Sequence, residues 1–319
     1  MIGILTVLLA AFVLTLHNIV VRVLFSHQVF LGLFSLGGYV APTFHNSFLL
    51  MFMRMLLVVP LMASLAPKLH PNTTKDIQKL FLPDSRKLLA QTLVCGVLMF
   101  VYISILYVAI GSIPAGIALT LFSTYPVFTA LLSWRFFGDR PTLFKWGVAG
   151  IILLGTVLTI PQSSAMADGP LVAIGVVASI SSGVIYAFYS VLAQKVFEKL
   201  HPVSFTWMSF AMTLLLSGLS LLVYPAHDGQ LDWTPLWIGG LLSGLFSFSG
   251  HVMHNLGIRM IGATTASMIN SSSPAITTIL AWAVIHETLN VVQMIGILVV
   301  TVGIVLLSSE RVLMRRSQS

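Results

Sequence analysis

The residues able to do chemistry in this chain lie inside long apolar stretches and follow a helical spacing. Between residues 233 and 258 the polar and small positions are three or four apart, which places them on one face of an α-helix. They are Gly240, Ser243, Gly244, Ser247, His251, His254 and Asn255. Glycine and serine on such a face let helices pack closely in lipid. Because a histidine facing lipid is costly, His251 and His254 face the interior, either in interhelical hydrogen bonds or along the path of a bound solute.

Polar side chains share a face in five further apolar stretches. These faces hold Thr15, Asn18 and Arg22 with His17 beside them; Gln91, Cys95 and Tyr102; Gly116, Thr120 and Ser123; Ser179, Ser182, Tyr186 and Ser190; and Thr264, Ser267, Ser271 and Pro274. Together they could enclose one polar cavity with aromatic walls, as a small amphipathic solute requires, although buried tyrosines also serve core packing. The candidate substrate-binding residues are His17, Asn18, Tyr102, Ser123, Tyr186, His251, Asn255 and Ser271.

No catalytic or cofactor motif accompanies these residues. The chain has no HExxH helix, no Cys/His spacing for zinc and no phosphate-binding P-loop. Ser271, Ser272 and Ser273 have no nearby acid–base set, and the single Cys95 excludes an internal disulfide. We therefore expect no catalytic residues, no metal site and no cofactor, and the protein is predicted not to be an enzyme.

The composition is that of an integral membrane protein. Of 319 residues, 57% are hydrophobic and 8% are charged, with a mean hydropathy of +0.99, whereas soluble domains carry about 25% charged residues. A membrane-spanning helix needs roughly 20 apolar residues. One span each is predicted for residues 1–21, 46–66, 146–167, 170–193, 203–227, 233–258, 260–286 and 288–309, and two for residues 88–134. The total is ten helices, because continuous apolar runs exclude the alternating pattern of a barrel.

The basic residues are distributed as in a membrane protein, which argues against the nucleic-acid partner that a net charge of +7 would suggest. With the N-terminus inside, 14 of the 16 basic residues fall in cytoplasmic segments, and the exceptions are Arg22 and Arg54. The chain is thus expected to be a multi-pass protein of the cell membrane (the inner membrane if the source is bacterial) with both termini in the cytoplasm. Its apolar start is interpreted as a retained first span, since it lacks a basic leader.

An internal repeat divides the chain into halves of five spans, residues 1–161 and 170–319. The pairs at an offset of 148 residues are Pro126 with Pro274, Trp134 with Trp282, Asp139 with Glu287 and Gly155 with Gly303. Because five is odd, the second half must be inverted relative to the first, an arrangement typical of secondary transporters. Pro126 and Pro274 each remove a helix hydrogen bond, which makes either a packing kink or a pair of hinges. A weaker match at an offset of 172 pairs Arg22 with Gln194.

Three charged or irregular features qualify this picture. All nine carboxylates fall in loops or at span ends, so none is available at midplane for coupling to protons or sodium. Transport is then either downhill or coupled to a proton on a histidine, which titrates near pH ~6.5. Arg54, inside the second span, has three open roles: snorkelling, holding a carbonyl or contacting an anionic group. Residues 27–45 are too short and glycine-rich for a span and are interpreted as an external interfacial or re-entrant segment.

Two segments resemble a known family. The segment from Tyr107 to Gly155 contains PVFTALLSW, followed by an acidic residue and glycine, and Ser273 to Glu287 repeats the pattern as SPAITTILAW. Both are similar to the EamA type of the drug/metabolite transporter superfamily. This resemblance implies ten spans and the export of amino acids, other metabolites or amphipathic compounds through a central cavity.

We therefore predict an all-α integral membrane protein with ten transmembrane helices in two inverted five-helix repeats. Its partners would be the lipid bilayer and a small-molecule substrate, which it would export by alternating access. The alternatives are a non-transporting membrane scaffold, which would not need matching polar faces in both halves, and an intramembrane enzyme, which would need converging acid–base or metal groups. A monomer is compatible with the sequence, which specifies no oligomeric state.

Overall fold

The computed structural model describes residues 2–138, 142–159, 170–223, 231–270, 273–287 and 289–316, and these are mostly helical. The helices are α1 (Ile2–Phe25), α2 (Phe44–Leu69), α3 (Thr73–Leu80), α4 (Arg86–Ser112), α5 (Ala115–Phe122), α6 (Tyr125–Phe137), α7 (Leu143–Thr159), α8 (Pro170–Val196), α9 (Pro202–Val223), α10 (Trp233–Ile261), α11 (Ala263–Asn270), α12 (Ser273–Ile285) and α13 (Val291–Arg316). Two short strands, β1 (His27–Phe30) and β2 (Phe34–Gly37), complete the fold. Asp139 and the predicted connector at residues 162–169 lie outside the described residues.

The protein is a multi-pass membrane protein. Within the described residues, seven helical segments are long and apolar enough to cross a membrane, when α5 and most of α6 are counted as one. Three shorter apolar helices cover residues 146–159, 273–285 and 291–303. Helices form here because the bilayer offers no water to the backbone, so every N–H and C=O must be satisfied within the segment.

The first helix packs lengthwise and antiparallel against α10. Gly257 lies against Val7, and Gly250 lies against Leu14, at distances that leave no room for a Cβ atom. Small residues are used in this way in membranes because helices there associate through close packing rather than through the hydrophobic effect. At the other end of the pair Gly239 faces Leu24. The end of the bundle where α1 begins is termed end A, and the end where α1 finishes is termed end B.

Successive long helices alternate between these ends. Helix α4 reaches end B at its C-terminus, where Gly111 touches Phe25 of α1. Helix α8 then runs back from end B to end A, because its Gly175 lies against Ile113 while its Ser182 donates a hydrogen bond to the Tyr102 carbonyl at 2.8 Å. The first helices of the two predicted halves, α1 and α8, thus run in opposite directions.

The fourth predicted span is not one kinked helix. Helix α5 ends at Phe122, a turn at Ser123 and Thr124 follows, and α6 begins at Tyr125 with Pro126 in its first turn. The expectation that Pro126 breaks a hydrogen bond inside a continuous helix is therefore wrong. The backbone N–H of a first-turn residue has no intrahelical partner, so a proline costs nothing there. Pro274 likewise lies in the first turn of α12, after α11 has ended at Asn270.

The segment from residue 27 to 45, interpreted from the sequence as interfacial or re-entrant, contains two strands that the sequence analysis did not specify. Strands β1 and β2 form an antiparallel hairpin at end B, with His27 opposite Gly37 and Phe30 opposite Phe34. The backbone N–H of Leu31 donates to the Val284 carbonyl at 2.8 Å, which ties the hairpin to α12. Gly37 has φ +104°, and a Cβ there would meet the Val23 carbonyl oxygen at 2.2 Å, so only glycine fits.

Candidate functional site

A cavity lies in the middle of the bundle. Its walls come from α1, α4, α5, α8 and α10, with contributions from α6, α11 and α12. The polar and aromatic side chains that line it are His17, Asn18, Tyr102, Tyr107, Phe122, Ser123, Tyr125, Tyr186, Tyr189, His251, His254, Asn270 and Ser273. No carboxylate is among the described residues that line it. The cavity therefore offers hydroxyl, amide, imidazole and aromatic groups to a solute from both halves of the chain.

Six of the eight candidate residues from the sequence meet at this cavity: His17, Asn18, Tyr102, Ser123, Tyr186 and His251. Asn255 lies behind the wall, where its amide donates to Thr206 Oγ1 at 2.8 Å and its carbonyl oxygen accepts from Tyr189 at 3.3 Å. Asn255 thus supports the wall instead of lining it. Ser271 lies outside the described residues. Solute contact by these residues stays a prediction.

The cavity wall is organised by pairs that join a tyrosine hydroxyl on one helix to a polar side chain on another. The hydroxyl of Tyr102 lies 3.2 Å from His251 Nε2, that of Tyr107 lies 3.1 Å from His17 Nε2, and that of Tyr186 lies 2.5 Å from His254 Nε2. Two further pairs join Tyr189 to Asn255 and Tyr125 to Asn270 at 3.3 Å. A buried tyrosine hydroxyl needs such a partner, and these pairs therefore fix the helices around the cavity.

The backbone sets the tautomers of two histidines. His251 Nδ1 lies 2.8 Å from the Ser247 carbonyl oxygen, and His17 Nδ1 lies 3.0 Å from the Ser243 carbonyl oxygen. A carbonyl only accepts, so Nδ1 carries the hydrogen in both rings. His17 Nε2 accepts from Arg54 Nη1, so the His17 ring is neutral in this arrangement. His251 Nε2 faces the Tyr102 hydroxyl, which can donate or accept.

Arg54 of α2 lies directly behind His17 and is fully buried. Its Nη1 donates to His17 Nε2 at 3.0 Å and to the Tyr107 hydroxyl, and its guanidinium carbon lies 5.4 Å from the centre of the Tyr107 ring. Nε and Nη2 have no hydrogen-bond partner among the described residues. Of the roles considered from the sequence, the structure excludes snorkelling and carbonyl binding, because the buried guanidinium contacts the side chains of His17 and Tyr107.

The tyrosines also form an aromatic cluster around Tyr186. Its ring packs edge-on against Tyr125 at 4.7 Å and Tyr102 at 5.2 Å, and Phe122 lies 5.3 Å away. Helix α8 can approach α5 this closely because residue 183 is a glycine. A Cβ at Gly183 would lie only 2.4 Å from the Phe122 carbonyl oxygen. Edge-to-face packing of this kind holds rings in fixed orientations. The cluster gives the cavity a rigid apolar wall.

At end B the bundle is closed by an ion pair between helices that are distant in sequence. Arg22 Nε lies 3.0 Å from Glu287 Oε1, and Arg22 Nη1 donates to the carbonyls of Ile110 and Gly111. Glu287 Oε2 accepts from the backbone N–H of Ala115, the first residue of α5, at 3.0 Å. The carboxylate therefore joins α1 to the N-terminus of α5, where negative charge is favoured.

At end A the corresponding helix start is held in a different way. Gln194 Oε1 accepts from the backbone N–H of Ala263, the first residue of α11, at 2.7 Å. Ala115 and Ala263 are equivalent at the offset of 148, and Arg22 and Gln194 are equivalent at the offset of 172. The two ends thus hold matching helix starts, one through an ion pair and the other through a direct amide contact.

Outside the spans, a polar cluster at end A joins the C-terminal end of α2 to the start of α9. His70 Nε2 lies 2.9 Å from Asp76 Oδ2, the His70 and His201 rings stack at 3.9 Å, and Ser204 donates to Asp76 at 3.1 Å. Burial lowers the pKa of His201 to about 4, helped by the nearby His70. His201 is therefore the neutral partner of the stack at neutral pH. Within the described residues no three His, Cys, Asp or Glu side chains form a metal site.

Several cavity residues were absent from the sequence-based set. Tyr107, Tyr125 and Tyr189 lie on helices that were recognised, but tyrosine in a buried helix does not distinguish packing from lining. His254 was paired with His251 by spacing, and the structure places both at the cavity. Arg54 had the clearest signal, a charge inside an apolar span, and its partners became visible only once α1, α2 and α4 were packed together.

Comparison with known proteins identifies relatives along the whole chain. Residues 1–160 and 173–309 match the EamA-like transporter family. The chain is 49% identical over 310 residues to the uncharacterized transporter sll1319 of Synechocystis sp., covering 97% of this chain and 94% of that protein. It is 22% identical over 191 residues to the threonine/homoserine exporter RhtA of Escherichia coli (strain K12), covering 60% and 61%.

A solved crystal structure of a protein shares the fold. Its TM-score is 0.60 at 17% sequence identity, and the match covers 100% of this chain and 98% of that one. The resemblance noted at Tyr107 to Gly155 and at Ser273 to Glu287 thus extends to the full length. The helical membrane fold, the central cavity and these matches together show that the chain belongs to the EamA-like transporter family.

Proposed function

We propose that this protein exports small metabolites, amino acids or related amphipathic solutes, across the cell membrane by alternating access. The observation that carries the proposal is the central cavity, which draws polar side chains from both halves and lies beyond a closed ion pair at end B. A cavity lined mainly by apolar and aromatic side chains, with a few polar groups among them, is typical of sites for small solutes. The name of the distant relative RhtA, an exporter of threonine and homoserine, supports this substrate class.

The architecture we propose has ten transmembrane helices in two inverted repeats, residues 1–161 and 170–319, with both termini in the cytoplasm. The opposite directions of α1 and α8 support the inversion. The matched helix starts at Ala115 and Ala263 support two-fold related gates. End A would be cytoplasmic, because the lysines and arginines of the connecting segments concentrate there.

Within this mechanism the solute would contact His17, Asn18, Tyr102, Ser123, Tyr186, His251 and Ser271, while Asn255 would position Tyr189. The breaks before Pro126 and Pro274 would act as hinges. Because α6 and α12 begin as new helices at these breaks, either helix can rotate about the preceding turn without breaking hydrogen bonds inside a continuous helix.

Counterflow in liposomes tests the transport function. Purified protein is reconstituted, the vesicles are loaded with one unlabelled solute from a panel of amino acids and organic acids, and uptake of the labelled solute is followed. We expect at least one solute to show saturable counterflow that empty liposomes lack. A replacement of Tyr186 by Ala should abolish it, whereas a replacement of the lipid-facing Leu154 by Ala should not. Absence of counterflow across the whole panel would favour the scaffold alternative.

A further inference from the structure

Arg54 is a positive charge inside the membrane region, and no carboxylate among the described residues balances it. The side chain is 0% exposed, and two of its three nitrogens have no partner among the described residues. The two ion pairs found in the described residues, Arg22 with Glu287 and His70 with Asp76, do not include Arg54. A buried charge left uncompensated is costly, and intramembrane arginines are retained mainly where they act on a substrate or ion.

The groups around Arg54 are acceptors and rings, all neutral. His17 of α1 and Tyr107 of α4 contact it, Gly244 of α10 lies against its side-chain carbons, and His251 is the next cavity group along α10. None of these elements contributes a carboxylate. A structural role would call for a counter-charge or a full set of acceptors, and the described residues supply neither.

We propose that Arg54 is the specificity-determining charge of the cavity and that the solute binds with a single negative charge, of the carboxylate kind, at the His17–Tyr107 end. This inference rests on the proposed transport function and names the class of its substrate. One guanidinium matches one negative charge; a doubly charged phosphate ester would require further cations, which the described lining lacks. A solute with net positive charge is disfavoured by the same field.

The hydrogen bonds show how the anion is received. His17 Nε2 has one lone pair, and the N–H of Arg54 already points to it at 3.0 Å. The Tyr107 hydroxyl lies 3.1 Å from the same nitrogen and competes with Arg54 for its lone pair. When Arg54 donates to His17, the Tyr107 O–H can turn into the cavity. Asn18 also lines the cavity. Tyr107 and Asn18 would donate to the anion while Arg54, behind them, supplies the charge.

The remainder of the cavity suits an apolar or aromatic body. The Tyr186 cluster forms another part of the wall, and its rings present apolar faces and edges. A carboxylate at one end and an apolar body at the other define an amphipathic organic acid. Amino acids also carry a carboxylate, so amphipathic organic acids fall within the substrate class proposed above.

Ligand-dependent thermal unfolding of the full chain in detergent tests the inference without relying on transport. The probes are benzoate and phenylacetate, their neutral isosteres benzamide and phenylacetamide, and chloride. We expect the two carboxylates to raise the melting temperature of the wild type, and the amides and chloride at equal concentration to leave it unchanged. Equal shifts by the amides, no shift by either carboxylate, or an equal shift by chloride would each overturn the proposal, the last by indicating a simple inorganic anion site.

Variants separate binding from structure. Arg54→Gln should weaken carboxylate binding roughly 30-fold or more, as expected when one partner of a buried charge pair is removed, yet unfold at no lower temperature than the wild type without ligand. Arg54→Lys should keep a measurable carboxylate shift, and Arg86→Gln, on the exposed start of α4, should behave as the wild type. The proposal fails if Arg54→Gln keeps the full shift, or if it is unstable and Arg54→Lys restores stability without restoring binding. Carboxylate binding without counterflow would instead contradict only the transport function.

Discussion

At the scale of single residues, the cavity is defined by which hydroxyl meets which acceptor. Tyr102, Tyr107 and Tyr186 each face a histidine on another helix, and the backbone carbonyls of Ser243 and Ser247 fix two of those rings as Nδ1–H tautomers. The two fixed rings differ in one respect. Protonation of His17 would place a second cation in contact with Arg54, whereas His251 Nε2 faces the Tyr102 hydroxyl, which can accept as well as donate.

His251 is accordingly the residue we expect to carry a coupled proton, if transport is coupled. In the variant His251→Gln a hydrogen-bonding side chain remains but cannot titrate, so accumulation driven by an imposed pH gradient should fall to the level of equilibration while solute exchange persists. Flux in liposomes with and without a pH gradient measures both, with His254→Gln as the matched control. Full gradient-driven accumulation by the Gln variant would contradict this assignment. Wild-type flux that ignores the gradient would show downhill transport.

At the scale of elements, the decisive features are the places where helices stop. The turn at Ser123 and Thr124 interrupts the fourth predicted span beside the cavity, which Ser123 lines, and α5 starts at Ala115, whose N–H donates to Glu287. Broken helices of this kind are tolerated at membrane depth because they face protein or a cavity, and transporters use them at their binding sites. Glu287, which is paired with Arg22, therefore holds the N-terminus of α5, the first half of the broken span.

Breaking this ion pair should open end B. Glu287→Gln leaves the Arg22 guanidinium without its carboxylate, at a cost of about 3 kcal/mol for a buried pair, while Arg22→Gln with Glu287→Gln removes both charges and should cost less. We expect a cysteine at Ser123, in a Cys95→Ala background, to react about tenfold faster with a water-soluble maleimide in the Glu287→Gln variant. An unchanged rate would show that the ion pair does not hold end B closed.

At the scale of the whole molecule, the main feature is that successive long helices run alternately from end A to end B and back, which determines the end at which each loop lies. Asp84 lies before α4 at end A, and Asp232 lies before α10 at end B; both side chains are exposed. Since α1 and α10 are antiparallel, as are α4 and α8, these two aspartates are on opposite faces of the membrane. The bias of basic residues supports the proposal that end A is cytoplasmic.

Cysteine labelling in sealed cells tests the proposed orientation. After replacement of Cys95, we expect Asp84→Cys to react with a membrane-impermeant maleimide only after the cells are opened, and Asp232→Cys to react in intact cells. Both reactions should reach completion in detergent, which controls for local reactivity. The reverse pattern would invert the proposed topology, and labelling of both sites from one side would contradict the alternation of the helices.

The sequence by itself determined the class of the protein and most of its helices. Apolar runs without charge have one stable form in lipid, and polar residues three or four apart must share a face, so His17, Asn18, Tyr102, Ser123, Tyr186 and His251 could be assigned to one cavity before any packing was known. The repeated segments around Pro126 and Pro274 indicated the family. Such motifs can be recognised without the fold because they consist of residues that are close together in the sequence.

Features that depend on contacts between helices could not be predicted from the sequence and became clear from the packing. Arg54 is ambiguous as a charge in a span, and its role follows from His17 and Tyr107, which reach it from 37 and 53 residues away. The hairpin after α1 and the break before Pro126 depended on contacts with α12 and α8, because glycine and proline permit several local conformations. Asn255 fell behind the cavity wall because helical spacing fixes the face of a side chain but not the neighbour that covers it.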